Sequence, residues 1–440
     1  VTVTAVSEET GLRRATTTDA QGTYTLRVLP SGVYTVQGRR LGFAATQVQG
    51  IRVTVGATST ANLTLRDAAQ QLTTVTVGAD RPRIDVADGG VKQTVTTEEI
   101  QNLPTLGRDF TDFIALSGLV SPVPEATTGG QFSIAGARPS ETSLQIDGVD
   151  GNNSFFGGNR GGARIPFNFS LESVKEFQIV TNGFDVEYGN YSGGVINILT
   201  KGGTNRRQAS FYSNYRGEQL TGANFDGTQP RNFEAIQYAG ALSGALVRDR
   251  LFYSVTLDGQ RRREPFVPNS PEAFRTRAAA ATGADAARFT AIADSLARFE
   301  TILANVYGVT GAQANFRPFE STNDVLTVFA RLDWNVNDRH RFSLRNNFSR
   351  FDNLNEAGGA SITGGLSRAE GFRNRNNAIV GELTSQVGAT GTNVFRVQWS
   401  RENQPRTGDE LRPALVVTNV ATGLGANGEF GGQGISFRNL

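Results

Sequence analysis

The sequence predicts a mainly β protein in three parts: an N-terminal β-sandwich, a mixed α+β middle, and a partial antiparallel transmembrane β-barrel. Three observations predict it. Residues 1–66 carry short β-branched runs separated by Gly and Pro turns, and residues 84–203 mix a helix signal with strands between Gly-rich turns. From about residue 208, apolar and polar side chains alternate in sustained stretches of roughly ten residues.

Composition sets the bounds. The 440 residues are 38% apolar and 19% charged, with 51 glycines and no run of eighteen apolar residues, too polar for a helical membrane protein. A transmembrane barrel tolerates this profile because every second side chain faces a wet lumen. With no Cys and a single His (His340), thiolate chemistry, Cys-ligated zinc and a His–His metal pair are excluded. There is no Met, so position 1 is not read as a translation start, and any signal peptide is expected outside the chain. A net charge of +2, from 43 basic and 41 acidic residues, argues against a dedicated nucleic-acid binder.

In residues 1–66 strands are expected at 1–6, 23–28, 33–36, 51–55 and 61–65, with turns at Asp19–Gly22 and Pro30–Gly32. Residues 67–83 form a polar connector around Leu72-Thr73-Thr74-Val75-Thr76-Val77, closed by Gly78 and Pro82. In residues 84–203, Thr97 reads as the N-cap of a helix through Ile100, and Asp109–Leu119 reads as a second short helix. Strands follow at 132–134, 143–146, 174–181 and 195–200.

Residues 204–440 carry the alternation. Leu251, Tyr253, Val255 and Leu257 share one face. Leu326, Val328, Ala330, Leu332 and Trp334 oppose Thr327, Phe329, Arg331 and Asp333; Phe342, Leu344 and Phe348 oppose Arg341, Ser343, Arg345, Asn347 and Ser349. Further strands are expected at 236–247, 375–387 and 393–403, where Phe395, Val397 and Trp399 align. Short turns at 247–250 and 336–339 alternate with a long excursion, 261–322, in which Phe289, Ile292, Ala293, Leu296, Phe299 and Leu303 recur at helical spacing. That asymmetry suits a barrel with one periplasmic and one exterior end, and about seven strands are too few to close it.

Two resemblances attach to these residues. The pattern Thr18-Asp19-Ala20-Gln21-Gly22-Thr23-Tyr24, Leu29-Pro30-Ser31-Gly32-Val33-Tyr34 and Gly42-Phe43 resembles the carboxypeptidase regulatory-like domain. Residues 84–203 resemble the plug of TonB-dependent outer-membrane transporters, on Phe132–Arg138, on Ser143-Leu144-Gln145-Ile146-Asp147-Gly148-Val149, and on Leu171–Val180 followed by Tyr188-Gly189, Gly193-Gly194-Val195-Ile196-Asn197-Ile198 and Thr200-Lys201. The usual Arg-Gly-Pro turn of the third segment is replaced by Thr181-Asn182-Gly183. Together they are similar to the Oar-like or SusC-like branches.

The resemblance implies a plug motif of Arg138, Asp147, Gly148, Glu176, Tyr188, Gly189, Gly193, Gly194, Asn197 and Lys201. It implies that Thr74, Val75, Thr76 and Val77 form a TonB box, adding as a strand to TonB. The function implied is import of a bulky glycan, peptide or siderophore across the bacterial outer membrane, with outer-membrane lipid and a surface lipoprotein among the partners. Adhesion or a secretion-associated structural role is the alternative on the same scaffold, and a soluble extracellular sugar-binding β protein is a third. Specificity is expected in residues 150–164 and 261–322.

No enzyme, cofactor or metal signature emerges. Asp147–Asn153 misses the EF-hand spacing, and Gly157–Gly162 lacks the Lys and Ser/Thr of a P-loop. Glu172, Glu176, Glu187 and Arg138 read as ion-pair formers within the middle domain, and His340 as a solvated strand-end residue.

Overall fold

A computed structural model describes residues 1–54, 58–67, 75–78, 92–103, 113–114, 116–122, 132–138, 141–152, 169–181, 193–223, 233–266, 270–308, 319–357, 369–388, 391–408, 415–421 and 426–430. Tyr188, Gly189 and Thr74 lie outside them, as do most of residues 150–164.

The N-terminal domain is a five-stranded sheet. Its strands are β1 (Thr2–Ser7), β2 (Arg13–Thr17), β3 (Gly32–Arg39), β4 (Thr46–Val53) and β5 (Val75–Gly78), in the order β2-β1-β3-β4-β5. Alternation in β1 and β3 turns Val3, Ala5, Tyr34 and Val36 into a core with Val48 and Ile51. Two expected strands are corrected. Residues 23–28 and 61–65 join no ladder, although Tyr24, Leu26, Ala61 and Leu63 pack on that core and Tyr24 Oη donates to the Ala61 carbonyl. Their alternation recorded a packed face, and a face can be buried without strand pairing; Val28 at φ +53° also breaks the extended run. The strand that pairs β1 on the side away from β3 is instead β2, which carries four polar residues in five.

The middle, inner domain contains β6 (Lys92–Val95), α1 (Thr97–Asn102), β7 (Val120–Pro122), β8 (Phe132–Ile134), β9 (Thr142–Ile146), β10 (Val149–Asp150), β11 (Val174–Val180) and β12 (Gly194–Thr200). Its main sheet runs β10-β9-β12-β11-β6, with β9 and β12 parallel, and β7 pairs with β8 separately. The cap of α1 is Thr96, one residue before the expected Thr97: Thr96 Oγ1 accepts the Glu99 N–H while Glu99 Oε2 accepts the Thr96 N–H, a reciprocal box. Thr97 Oγ1 instead donates to the Lys175 carbonyl, tying α1 to β11. In the second expected helix, Phe113 and Ile114 are helical and residues 116–119 form turns before β7. Phe113, Ile134, Leu144, Phe177, Ile179, Ile196 and Ile198 make the core.

The third region is an antiparallel meander of β13 (Gln208–Gly217), β14 (Glu234–Val247), β15 (Leu251–Phe266), β16 (Phe319–Asn335), β17 (His340–Ala357), β18 (Ala369–Val387) and β19 (Gly391–Asn403). The expected faces are observed. In register, Val255 opposes Ala330, Tyr253 opposes Leu332 and Leu251 opposes Trp334; Leu332 then opposes Leu344, and Ile379 opposes Trp399. These side chains form the outward apolar face, whereas Ser254, Thr256, Asp258, Thr327, Asp333, Ser343, Arg345 and Asn347 are buried on the inward one. Helices α2 (Pro271–Ala280) and α3 (Ala284–Tyr307) fill the excursion between β15 and β16, burying Phe274, Ile292, Ala293, Leu296, Phe299 and Leu303. No helix among the described residues is long and apolar enough to cross a membrane.

Candidate functional site

The inner domain meets the inward barrel face through one turn. Ile146 pairs with Val149, so Asp147 and Gly148 are the two loop residues of a tight hairpin, at φ +49° and +72°. Positive φ at both positions is the type I′ geometry that Asp-Gly tolerates. The turn projects the Asp147 carboxylate towards β16 and β17.

There, Arg331 and Arg345 oppose each other across the ladder, both facing inward. Like charges in such a pair repel. The Asp147 carboxylate resolves it: Oδ2 lies 3.4 Å from Arg331 Nη1 and 3.2 Å from Arg345 Nη1. The same carboxylate accepts the Thr200 N–H on Oδ1 (2.8 Å) and the Thr200 hydroxyl on Oδ2 (2.7 Å). The Asp147 side chain is 18% exposed, Arg331 12% and Arg345 8%. Burial alone would raise the Asp147 pKa, but Arg345, Arg331 and the two Thr200 bonds outweigh it and hold the carboxyl below the ordinary range.

Around this centre the network continues. Arg331 donates to both oxygens of Asp333, which also takes Arg341 at 2.7 Å. Arg345 donates to the Ile146 carbonyl, and Arg396, paired with Glu382 at 2.8 Å, donates to the Gly148 carbonyl at 2.8 Å. Gln398 donates to the Asp150 carbonyl, and Ser170 donates to Asp258 at 2.7 Å. Every one of these contacts joins the inner domain to the barrel wall or braces a residue that does.

Of the residues the sequence singled out, Asp147, Gly148 and Asn197 come together: Asn197 Oδ1 accepts the Gly148 N–H at 3.2 Å. Gly194 has φ +142°, and a Cβ there would sit 2.7 Å from Ile134 Cγ2; one at Gly193 would meet Ala137 Cβ at 2.4 Å. The two glycines thus let β12 enter beneath β8. Lys201 anchors the end of β12, its N–H donating to the Ser173 carbonyl. Glu176 is buried in β11, and Arg138 lies exposed at a turn where its N–H donates to Glu141 Oε2, away from the seam. Glu172, expected to pair within its own domain, accepts from Ser210 of β13. The sequence placed Arg331 and Arg345 on a polar face but gave no partner for them, because Asp147 is 184 and 198 positions away.

The N-terminal domain packs at the short-turn end. Asn205 donates its N–H to the Glu9 carbonyl, Arg14 donates to the Asp338 carbonyl, and Gln386 donates to the Ala15 carbonyl. Lys175 of β11 reaches down to the Ser31 carbonyl at 2.7 Å and to Glu9 at 3.7 Å. A cavity of about 840 Å³, lined by Glu9, Tyr34, Lys175, Lys201, Asp333 and Arg341 among others, separates this domain from the seam. Burial pushes the Tyr34 hydroxyl up to about 12, so it stays a neutral donor, to the Pro30 carbonyl. The segment Val75–Gly78 is already in strand form, laid parallel on β4 with Val75 opposite Thr46 and Val77 opposite Val48.

Comparison with known proteins gives two family matches: the carboxypeptidase regulatory-like domain over residues 1–66 and the outer membrane β-barrel domain over residues 199–438. The TonB-dependent transporter Oar of Myxococcus xanthus is 28% identical over 266 residues, 58% of this chain and 24% of that protein. The outer membrane transporter YddB from Escherichia coli shares the fold at TM-score 0.52 and 13% identity, over 78% of this chain and 43% of that one. The chain therefore spans about a quarter of its curated relative.

Proposed function

Because this chain belongs to the outer membrane β-barrel domain family and so resides in the outer membrane, we propose that it serves TonB-dependent transport of a bulky glycan, peptide or siderophore across that membrane. On this reading residues 84–203 are a plug, residues 1–66 a periplasmic appendage, 67–83 a linker with the TonB box Thr74–Val77, and 204–440 barrel.

The observation that carries the reading is the Asp147 seam. An inner sheet that merely filled a barrel would be joined to it by apolar packing. Here the joint is ionic and hydrogen-bonded, built from a two-residue turn and two facing arginines. Such a joint is rigid when every partner is present and opens with little apolar surface to expose, which suits a plug that is pulled aside and returns.

The position of β5 bears on how capture begins. TonB is read as recruiting Thr74–Val77 by strand addition; one edge of Val75–Gly78 is paired with β4, and the other is the outer edge of the sheet. Capture by TonB on that outer edge extends the N-terminal sheet by a strand, with the four-residue parallel ladder to β4 kept.

The test is deletion of Thr74–Val77 in the intact protein, in cells offered three fluorophore-labelled probes: a ferric siderophore, a short peptide and an oligosaccharide. The expected result is surface labelling by one probe in both strains, with energy-dependent accumulation in wild type alone. Accumulation that survives the deletion would overturn the reading. Cell adhesion or secretion retained by both strains, with no probe accumulated by either, would favour the structural alternative.

A further inference from the structure

The outward face of the barrel sheet carries a second facing arginine pair. Arg350 of β17 opposes Arg375 of β18, and both are exposed. Two further outward arginines adjoin them: Arg373, two residues from Arg375 on the same face, and Arg401, opposite Asn377 on β19. Directly opposed side chains stand about 5 Å apart at Cβ, so this is a like-charge cluster. One carboxylate serves it: Asp352 pairs with Arg350 at 2.5 Å and with Arg373 at 3.5 Å. Among the described residues Arg375 and Arg401 have no acidic partner. The inward pair Arg331/Arg345 shows what such a ladder pair requires, since an acidic side chain from another domain is inserted between its members.

The placement of the cluster identifies the anion. Followed away from the short turns, each outward row is mainly apolar, with Asn346 and Asn377 within it hydrogen-bonded to each other, and then reaches charge: Leu257 before Arg261, Leu326 before Asp324, Phe348 before Arg350, Ile379 before Arg375, and Trp399 before Arg401. This frontier is not level in the ladder. Arg261 and Asp324 share one row, Arg350 and Arg375 lie two residues nearer the short turns, and Arg401 two nearer still. A step of two residues, about 7 Å, for every two strands, about 10 Å, is a slope of about 35°. That slope matches the tilt of strands in a membrane barrel, roughly 35–45°. The frontier is therefore one membrane boundary, crossed by tilted strands, on the side opposite the N-terminal domain. Trp399, outward and 53% exposed, sits just inside it, where aromatic side chains favour the interface.

We propose that Arg350, Arg375 and Arg401 bind the phosphate groups of a phosphorylated glycolipid in the outer leaflet, whose chains lie on the apolar face around Phe348, Ile379 and Trp399. Guanidinium forks suit phosphate oxygens, and the cluster's excess positive charge complements them. The inference rests on the membrane placement of the sheet and is independent of transport.

The experiment uses the full-length protein in neutral detergent, with diphosphoryl lipid A, fully dephosphorylated lipid A and inorganic phosphate as probes. Wild type should bind diphosphoryl lipid A about tenfold or more tightly than the dephosphorylated form. The triple variant Arg350→Gln, Arg375→Gln, Arg401→Gln should lose that preference while still migrating as a heat-modifiable folded barrel. Equal binding of the two lipids by wild type would overturn the proposal without recourse to any variant. So would a folded triple variant that keeps the preference, or inorganic phosphate at millimolar concentration displacing the lipid completely.

Discussion

The inner domain is held from two sides, and the two holds differ in kind. Against the barrel, Asp147 brings a largely buried carboxylate to two largely buried arginines and two Thr200 donors. Against the N-terminal domain, Lys175 reaches Glu9 across 3.7 Å with their side chains 29% and 43% exposed. Leaving a buried charge without its partner costs about 3–5 kcal/mol, whereas an exposed ion pair contributes about 0–1 kcal/mol. The difference teaches which joint stores stability and which can part under small forces: the barrel seam is the lock, and the N-terminal contact is a tether.

The largest expected effect breaks the element that aims the lock. Gly194→Ala puts a Cβ against Ile134 at a backbone angle that L residues rarely adopt. Strain of about 1–3 kcal/mol and overpacking of similar size predict a loss of about 4 kcal/mol in the inner domain. Because β12 carries Asn197 and Thr200, hydrogen exchange of residues 194–200 should rise by two or more orders of magnitude, about 1.4 kcal/mol per decade. Unchanged protection there would show that the close approach of β12 to β8 does not support the seam.

Next is the lock itself. Asp147→Ala leaves Arg345 with the Ile146 carbonyl and Arg331 with Asp333, so part of the charge stays compensated and the expected loss is about 2–3 kcal/mol. A fluorophore on Asp150→Cys, the sole thiol in the chain, reports the mobility of the turn by anisotropy. The same reporter gives the pH dependence. With its folded pKa held below the ordinary carboxylate value, Asp147 stabilises the seam fully above about pH 4. That contribution is lost as pH falls through the lower folded value. Anisotropy should thus be flat from pH 8 to about 5 and drop in strongly acidic buffer, and Asp147→Asn should abolish the step. A step near pH 6–7 would mean that another group governs the turn.

What the sequence made legible follows the same division. Alternation over β15–β19 gave both faces of the barrel sheet, because lipid on one side and a polar interior on the other constrain every second residue. The Asp-Gly hairpin was not read from the sequence, although the pair signals it, since few residue pairs accept positive φ twice. The seam was half legible. Arg331 and Arg345 were on the polar face, but pairing them with Asp147 needs the strand register and the depth at which the inner sheet sits, neither of which is local. In the N-terminal domain alternation misled at 23–28 and 61–65, where it marks packing across a core without a ladder. The polar β2 was missed for the converse reason, its place in the sheet coming from backbone pairing with β1.

The smallest effect sharpens the comparison most. Lys175→Ala removes the Ser31 bond and the Glu9 contact but leaves the Thr97 bond, which uses the Lys175 carbonyl. Stability should change by about 0.5 kcal/mol, near the floor for an exposed pair. If Lys175 is the tether, exchange should quicken at residues 30–34 and stay unchanged at 194–200, because no part of the Asp147 network passes through it. Parallel quickening of both segments would mean that the two joints open as one unit. The N-terminal domain would then belong to the lock, and the separation drawn between a stability-bearing seam and a weak tether would fail.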